Sequence, residues 1–204
     1  TPGTYLKINK SFESESLQPT TYWSALKSAQ LGQANLYSGS YGEAVEQLEK
    51  LVADSVERRM IADVELGALL SGGIDSSLVV SMMQAQSTRK VKTFSIGFYE
   101  ETHNEAIHAK KVAEYLGTDH SELYVTPQEC MEVIPQLPEM YDEPFGDVSQ
   151  IPTYLVSQLA SNQVKVVLSG DGGDELFAGY TRYFRCMKHW DKHESIPLFM
   201  RPAI

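Results

Sequence analysis

Two apolar runs in this chain end alike: ALLSGGIDSS at residues 68–77 and VVLSGDGGDE at residues 166–175. Each passes from aliphatic residues into Ser-Gly, meets a further glycine, and reaches an acidic residue that opens a helical pattern. A strand that stops at glycine and hands over to a helix is the joint of an α/β unit. Repetition of that unit builds a parallel sheet covered by helices.

The segments between the two joints keep the same alternation. VELGALL, 64–70, is too short and too apolar for a surface helix and reads as a buried strand. IDSSLVVSMMQAQ follows as a helix, and VKTFSIGF, 91–98, as a second strand. Thr102 and Glu105 are expected to cap the next helix, with Ala109, Val112, Ala113 and Leu116 inward and Gly117 ending it. SELYVT, 121–126, is a third strand; Thr126 and Glu129 cap a further helix. IPTYLVSQLAS, 151–161, is helical, VKVVLSG, 164–170, is a fourth strand, and DELFAGYTRYF begins one more helix. The expected class is α/β: a three-layer, doubly wound parallel sheet with right-handed crossovers.

Residues 1–40 carry little core-forming pattern. TPGTYLKINK reads as a Pro-Gly turn and a short strand, and SFESESLQPTT as a polar linker, so a short N-terminal arm is expected. From Ser40, which forms a capping box with Glu43, a helix begins with Ala44, Val45, Leu48, Leu51, Val52 and Val56 on one face.

In open sheets of this kind, ligands bind beyond the carboxyl ends of the strands, where the strand order reverses. If the strands ending near 70 and 170 are neighbours, both turns face one crevice. Ser71, Gly72, Gly73, Ser76 and Ser77 would then surround a ligand, with Ser169 and Gly170 opposite. The residue types point to an anion. Glycines let the backbone approach closely, the helix that follows aims free N–H groups and its positive end at the same spot, and the hydroxyls add donors. An aspartate inside a phosphate site needs a cation. Asp75 is therefore a candidate Mg²⁺ ligand, with Asp174 its partner from the other turn. The GxSxG elbow of hydrolases is absent, as are the Walker A pattern and GxGxxG.

Composition sets outer limits. The formal net charge of −10 disfavours non-specific nucleic-acid binding, which needs clustered cations, but leaves room for a small anion held by backbone N–H groups. Two cysteines, Cys130 and Cys186, make neither a disulfide framework nor a CxxC pair, and a cytoplasmic setting is expected. No apolar run is long enough to span a bilayer. A start at Thr1 reads as a piece of a longer protein.

SGGIDSS resembles the PP-loop of the ATP pyrophosphatases, a motif shared by NAD, GMP and argininosuccinate synthetases and by tRNA-modifying enzymes. TFSIGF, YDEPFGDVSQIPTYLVS and VVLSGDGGDELFAGY are more specific. In this order the four blocks resemble the synthetase domain of the glutamine-dependent asparagine synthetase family. That resemblance implies the PP-loop (adenine nucleotide alpha hydrolase-like) fold. It implies that residues 1–40 are the end of a glutaminase domain and a linker, and that 41–204 are the N-terminal part of an ATP-dependent synthetase domain.

The implied reaction is activation of a carboxylate by ATP, giving an acyl-adenylate and pyrophosphate, followed by attack of ammonia to give the amide and AMP. The implied partners are ATP with Mg²⁺, a small carboxylate and ammonia from a glutaminase domain, with no nucleic acid and no membrane and with room for a homo-oligomer. Matched position by position, Leu70 and Ile96 line the adenine and ribose side. Ser71, Gly72, Gly73, Ser76 and Ser77 hold the pyrophosphate portion, and Ser169 and Gly170 contact the nucleotide. Asp75 and Asp174 ligate Mg²⁺. Asp171 falls on a catalytic acidic position that is Glu in many of these enzymes, and its side chain is one methylene shorter. Aspartate is the expected acceptor. The DEPFGD form of the middle block, with Asp142, Glu143 and Asp147, brings in a second acceptor class, such as a uronic acid in surface-polysaccharide synthesis. A tRNA-modifying enzyme would call for a basic face and reactive cysteines. With no N-terminal cysteine nucleophile and the family's later lysine outside this sequence, the chain alone is expected not to complete amide synthesis. Met82, Met83, Tyr180, Tyr183 and Phe184 read as packing residues, His120 as a surface or half-buried residue rather than a base, and 182–193 as a solvated helix face.

Overall fold

The computed structural model describes residues 1–8, 18–99, 104–144 and 146–196. The chain divides into two compact units, Thr1–Leu48 and Glu49–Ile204.

In the first unit a two-stranded antiparallel ribbon pairs β1 (Thr4–Tyr5) with β2 (Thr20–Thr21). Gly3, at φ +70°, lets the chain pass close to the Trp23 carbonyl, and Tyr22 N donates to Gly3 O at 2.9 Å. Helix α1 (Ala25–Ala34), capped by Ser24, lies within the 1–40 region expected to form a short N-terminal arm. Most of the polar segment 11–21 lies outside the described residues.

Helix α2 (Tyr41–Met60) starts at the expected box: Ser40 Oγ accepts from Glu43 N at 3.3 Å, and Glu43 Oε2 accepts from Ser40 N at 2.7 Å. Its packed face differs from the expected one. Val56 is buried and Val52 and Met60 pack beside it, a strict i, i+4, i+8 row, whereas Leu51 is 68% exposed.

The second unit holds a four-stranded sheet of β3 (Leu66–Leu69), β4 (Lys92–Phe98), β5 (Asp119–Val125) and β6 (Val166–Leu168), in the order β5-β4-β3-β6. All neighbours are parallel. The chain builds outward from β3 to β5, then returns to add β6 on the other side of β3, so the order reverses between β3 and β6. Gly67 permits the close strand packing; a methyl there would stand 2.7 Å from the Phe94 ring.

Helices cover the sheet: α3 (Ile74–Gln86), α4 (Ala106–Leu116), α5 (Pro127–Val133), α6 (Leu137–Met140) and α7 (Gln150–Ser161). One apolar cluster joins Ala68, Leu70 and Val91 to Val80 and Met83 of α3 and Ala109 and Ala113 of α4. Phe94, on the alternate face of β4, packs with Val156 and Ala160 of α7 and with Val164. The two clusters are the two sides of a three-layer α/β arrangement. Gly117 ends α4 in the left-handed region at φ +72°, and Thr126 with Glu129 forms the expected box before α5. The expected cap at Thr102 lies outside the described residues; Glu105 occupies the cap position.

The last expected helix is in fact two, α8 (Gly173–Phe177) and α9 (Thr181–Glu194). Ala178 breaks them apart at φ 56°, the left-handed region that a side chain enters only at a cost. Among the described residues no helix is long and apolar enough to cross a membrane.

Candidate functional site

A cleft of about 1140 Å³ opens over the carboxyl ends of β3 and β6. Leu70, Ser71, Gly73, Asp75 and Ser76 line it from the first turn, and Ser169, Gly170, Asp171 and Asp174 from the second. Ile96 lines it from β4, with Phe94 and Val156 beside it. Ten of the expected site residues therefore meet in one space. Gly72 and Ser77 are not among its lining residues.

The first turn is held by its own hydroxyls. Ser76 Oγ accepts from Ser71 N at 3.2 Å and lies 2.9 Å from Ser71 Oγ, which accepts from Gly73 N at 3.2 Å. Gly72 stands at φ +81°, and a methyl on it would lie 2.6 Å from Ala109 N of α4. This glycine seats the loop against α4. Gly73 is the N-cap of α3 and no side chain caps the helix there, so the first-turn N–H groups face the cleft uncapped. Ser77 Oγ is buried without a hydrogen-bond partner among the described residues.

The second turn sits directly on the first. A methyl at Gly170 would stand 2.6 Å from Ser76 N and 2.9 Å from Asp75 C. At Gly173 it would stand 2.5 Å from Asp75 Cγ. The Asp75 carboxylate thus lies against the backbone beside Asp174. Gly172, at φ +91°, turns the chain, and Gly179 leaves room for the Asp174 side chain. Ser169 Oγ donates to Asp171 Oδ2 at 3.0 Å, fixing that carboxylate over the turn.

Sheet register explains the part of Ile96. Strand β3 pairs as far as Leu69 with Phe94, and Leu70 N donates to Phe94 O at 2.9 Å. Successive residues of a strand point their backbone groups to opposite neighbours. Ile96 therefore directs its N–H and C=O toward the β3 side past the end of β3, over the cleft.

Charge is one-sided. Asp75, Asp171, Asp174, Glu175, Glu105 and Asp147 line the cleft, and among the described residues no Lys, Arg or His lines it. Asp147 is held below the usual carboxylate range by the Ser149 backbone N–H, which donates to it at 2.8 Å. Glu175 is held low by the Tyr180 hydroxyl, which donates to it at 2.8 Å; the same bond pushes the Tyr180 phenol up. Arg182 lies 4.2 Å over the Tyr180 ring, a cation at the rim.

An acidic cleft with uncapped helix amides takes a polyphosphate only with a cation between. Among the described residues no three His, Cys, Asp or Glu side chains group to hold a metal by themselves. Two aspartates lining one cleft with uncapped amides suit Mg²⁺, which keeps few protein ligands and completes its shell with phosphate and water. The residues present fit the ion.

Sequence reasoning missed Ser95, Glu105, Thr153, Glu175 and Tyr180 as lining residues. Thr153 follows Ser149, also lining, by one helical turn, a spacing readable from the sequence. Of the DEPFGD acids, Asp147 lines the cleft and Asp142 and Glu143 do not, while Phe145 lies outside the described residues.

Residues 47–203 match the family described as asparagine synthase. A Methanocaldococcus jannaschii protein whose name assigns it to the glutamine-hydrolyzing asparagine synthetases is 44% identical over 158 residues, covering 77% of this chain and 30% of that protein. Asparagine synthetase 1 (glutamine-hydrolyzing) of Bacillus subtilis is 40% identical over 139 residues, covering 68% of this chain and 22% of that one. The chain spans less than a third of the length of these relatives. Among solved structures, the NH₃-dependent NAD synthetase of Campylobacter jejuni overlaps with a TM-score of 0.46 at 17% identity, over 66% of this chain and 60% of that chain.

Proposed function

The chain belongs to the asparagine synthase family, and from that premise we propose that it is the nucleotide-binding part of an ATP-dependent ligase that converts a carboxylate to an amide. Residues 41–204 are the first part of the synthetase domain, and residues 1–40 lead out of a glutaminase domain that supplies ammonia. The acceptor is aspartate. The observation that carries this reading is the contact of Gly170 and Gly173 with Asp75 and Ser76, which makes the two turns one site.

ATP is the substrate that the cleft holds. Leu70 and Ile96 flank the nucleoside, with the backbone of Ile96 free to pair with the base. Ser71, Gly72, Gly73, Ser76 and Ser77 hold the β and γ phosphates, and Ser169 and Gly170 face the nucleotide from the second turn. Attack of the carboxylate oxygen at the α-phosphorus forms the acyl-adenylate and expels pyrophosphate. Preorganised donors aimed at that leaving charge are the large term in such a step. Here they are the uncapped amides of α3 and the serine hydroxyls. Asp75 and Asp174 would hold Mg²⁺, which supplies charge compensation on the phosphates when bound. Asp171, steadied by Ser169, stands at the second turn, where the nucleophile arrives. Ammonia then attacks the acyl carbon and AMP leaves.

Pyrophosphate release by the protein containing this chain, measured across a panel of carboxylates, tests the reading. Release that depends on aspartate and is lost in Asp75→Ala supports it. Release with uronic acids and not aspartate moves the acceptor, and a rate indifferent to Asp75→Ala removes the metal role.

A further inference from the structure

A second polar network lies under the cleft, on the face of β4 that packs against α4. Thr93 and Ser95 are 0% and 3% exposed, and each is paired in register with β5, Thr93 with His120 and Ser95 with Glu122. His120 Nδ1 lies 2.8 Å from Thr93 Oγ1, and His120 Nε2 lies 3.3 Å from Ser95 Oγ. Thr93 Oγ1 lies 3.0 Å from Thr118 Oγ1, which donates to Ala113 O at 3.5 Å. Ser95 also lines the cleft, so the network reaches it at one point.

The arrangement is not a nucleophile triad. Glu122 Oε1 stands 3.6 Å from the same Nε2 that Ser95 meets, whereas a triad acid holds the other ring nitrogen. Donor and acceptor roles instead run one way along the chain. A carbonyl only accepts, so Thr118 spends its hydrogen on Ala113 O and accepts from Thr93. Thr93 has then spent its own hydrogen and accepts from His120 Nδ1–H. A neutral imidazole with a proton on Nδ1 has a bare Nε2. Ser95 must donate to it. The Ser95 oxygen is left with lone pairs only, and Ser95 lines the cleft, where the Ser71 and Ser76 hydroxyls stand at the anion end.

We propose that Ser95 is a further nucleotide-binding residue of this cleft, with His120 as the residue that positions it, so that Ser95 Oγ accepts a hydrogen bond from an O–H or N–H donor of the nucleoside. The inference rests on the reading that the cleft takes ATP. It separates the cleft chemically: donors toward the phosphates, and a side-chain acceptor, in addition to the Ile96 carbonyl, toward the ribose hydroxyls or the base amino group.

Neutrality of His120 is part of the device. Burial holds it below its ordinary value of 6.5, against the opposing pull of Glu122; Lys110 of α4, 3.9 Å from Glu122, weakens that pull. Once protonated, Nε2 would donate to Ser95, and the serine hydrogen would turn toward the cleft and meet the nucleoside donor head-on.

Dissociation constants of MgATP, Mg-2′-deoxy-ATP, Mg-3′-deoxy-ATP and Mg-ITP test this on the protein containing the chain, for wild type, Ser95→Ala, His120→Gln and His120→Asn. Glutamine places an acceptor where Nε2 stands, and asparagine places only the Nδ1 donor. Ser95→Ala should weaken ATP by roughly three- to tenfold, the range of one net hydrogen bond. It should leave unchanged the one analogue that lacks the donor, which identifies it as a ribose hydroxyl or the 6-amino group. His120→Gln should keep wild-type affinity and His120→Asn should match Ser95→Ala. Wild-type affinity should fall on acidification while that of Ser95→Ala stays flat. If Ser95→Ala binds all four nucleotides as wild type does while Asp75→Ala loses them, the Ser95 assignment is wrong and the ATP reading stands. If wild type binds none of them, both fall.

Discussion

Gly170→Ala is the most informative single substitution in this chain, because it adds one methyl group at the seam between the two turns. That methyl would stand 2.6 Å from Ser76 N, 2.9 Å from Asp75 C and 3.1 Å from Asp75 Cβ. Two of these three atoms are backbone, so no rotamer change relieves the overlap, and one turn must retreat. Gly170 is not among the glycines with positive φ, so the backbone angle itself tolerates alanine. Alanine also lowers the entropy of the unfolded chain, a gain of about 0.4–1 kcal/mol, while overpacking of this kind costs about 1–3 kcal/mol. The expected net loss of stability is about 1–2 kcal/mol. The effect on MgATP should be larger than that loss implies, since the displaced atoms belong to the amide and carboxylate assigned to the ligand. Gly117→Ala is the matched control. Nothing lies within 4 Å of its added methyl, but its φ of +72° is strained for alanine, a cost of about 1–2 kcal/mol. Urea unfolding should therefore show similar losses for both variants, while MgATP titration shows a loss of at least tenfold only for Gly170→Ala. Equal nucleotide affinity in Gly170→Ala and wild type would refute the claim that the turns form one site.

Ala178→Gly relieves a left-handed alanine between α8 and α9 and should raise stability by about 1 kcal/mol, read as a shifted urea midpoint. His120 binds protons less readily folded than unfolded, so stability should rise with pH below the ordinary histidine value of 6.5 and level off above it. His120→Gln should flatten that slope; an unchanged slope would mean that another group sets it.

Much of this architecture was legible beforehand because the sequence patterns are dictated by burial. Strand β4 and helix α3 match their expected spans closely, since VKTFSIGF is flanked by polar residues and IDSSLVVSMMQAQ starts at Gly73. The meeting of the two turns was legible from their shared Ser-Gly endings. What the pattern did not carry was tertiary choice. On α2, Leu51 and Val52 are both apolar neighbours, and only contact with the sheet decides that Val52 packs inward. The break at Ala178 hid because alanine is a good helix former; its left-handed turn and Gly179 clear space around Asp174. His120 read as a surface or half-buried residue because its partners, Thr93, Ser95 and Glu122, assemble only when β4 and β5 pair in register.

The central claim is that Asp75 and Asp174 act on one ion bound with one nucleotide. A double-mutant cycle on Mg²⁺-dependent ATP binding, with Asp75→Asn, Asp174→Asn and the double variant, addresses it directly. Carboxylates that share an ion should be coupled, with the second substitution costing at least about 1 kcal/mol less than it does alone. Additive losses, within about 0.3–0.5 kcal/mol, would contradict the account.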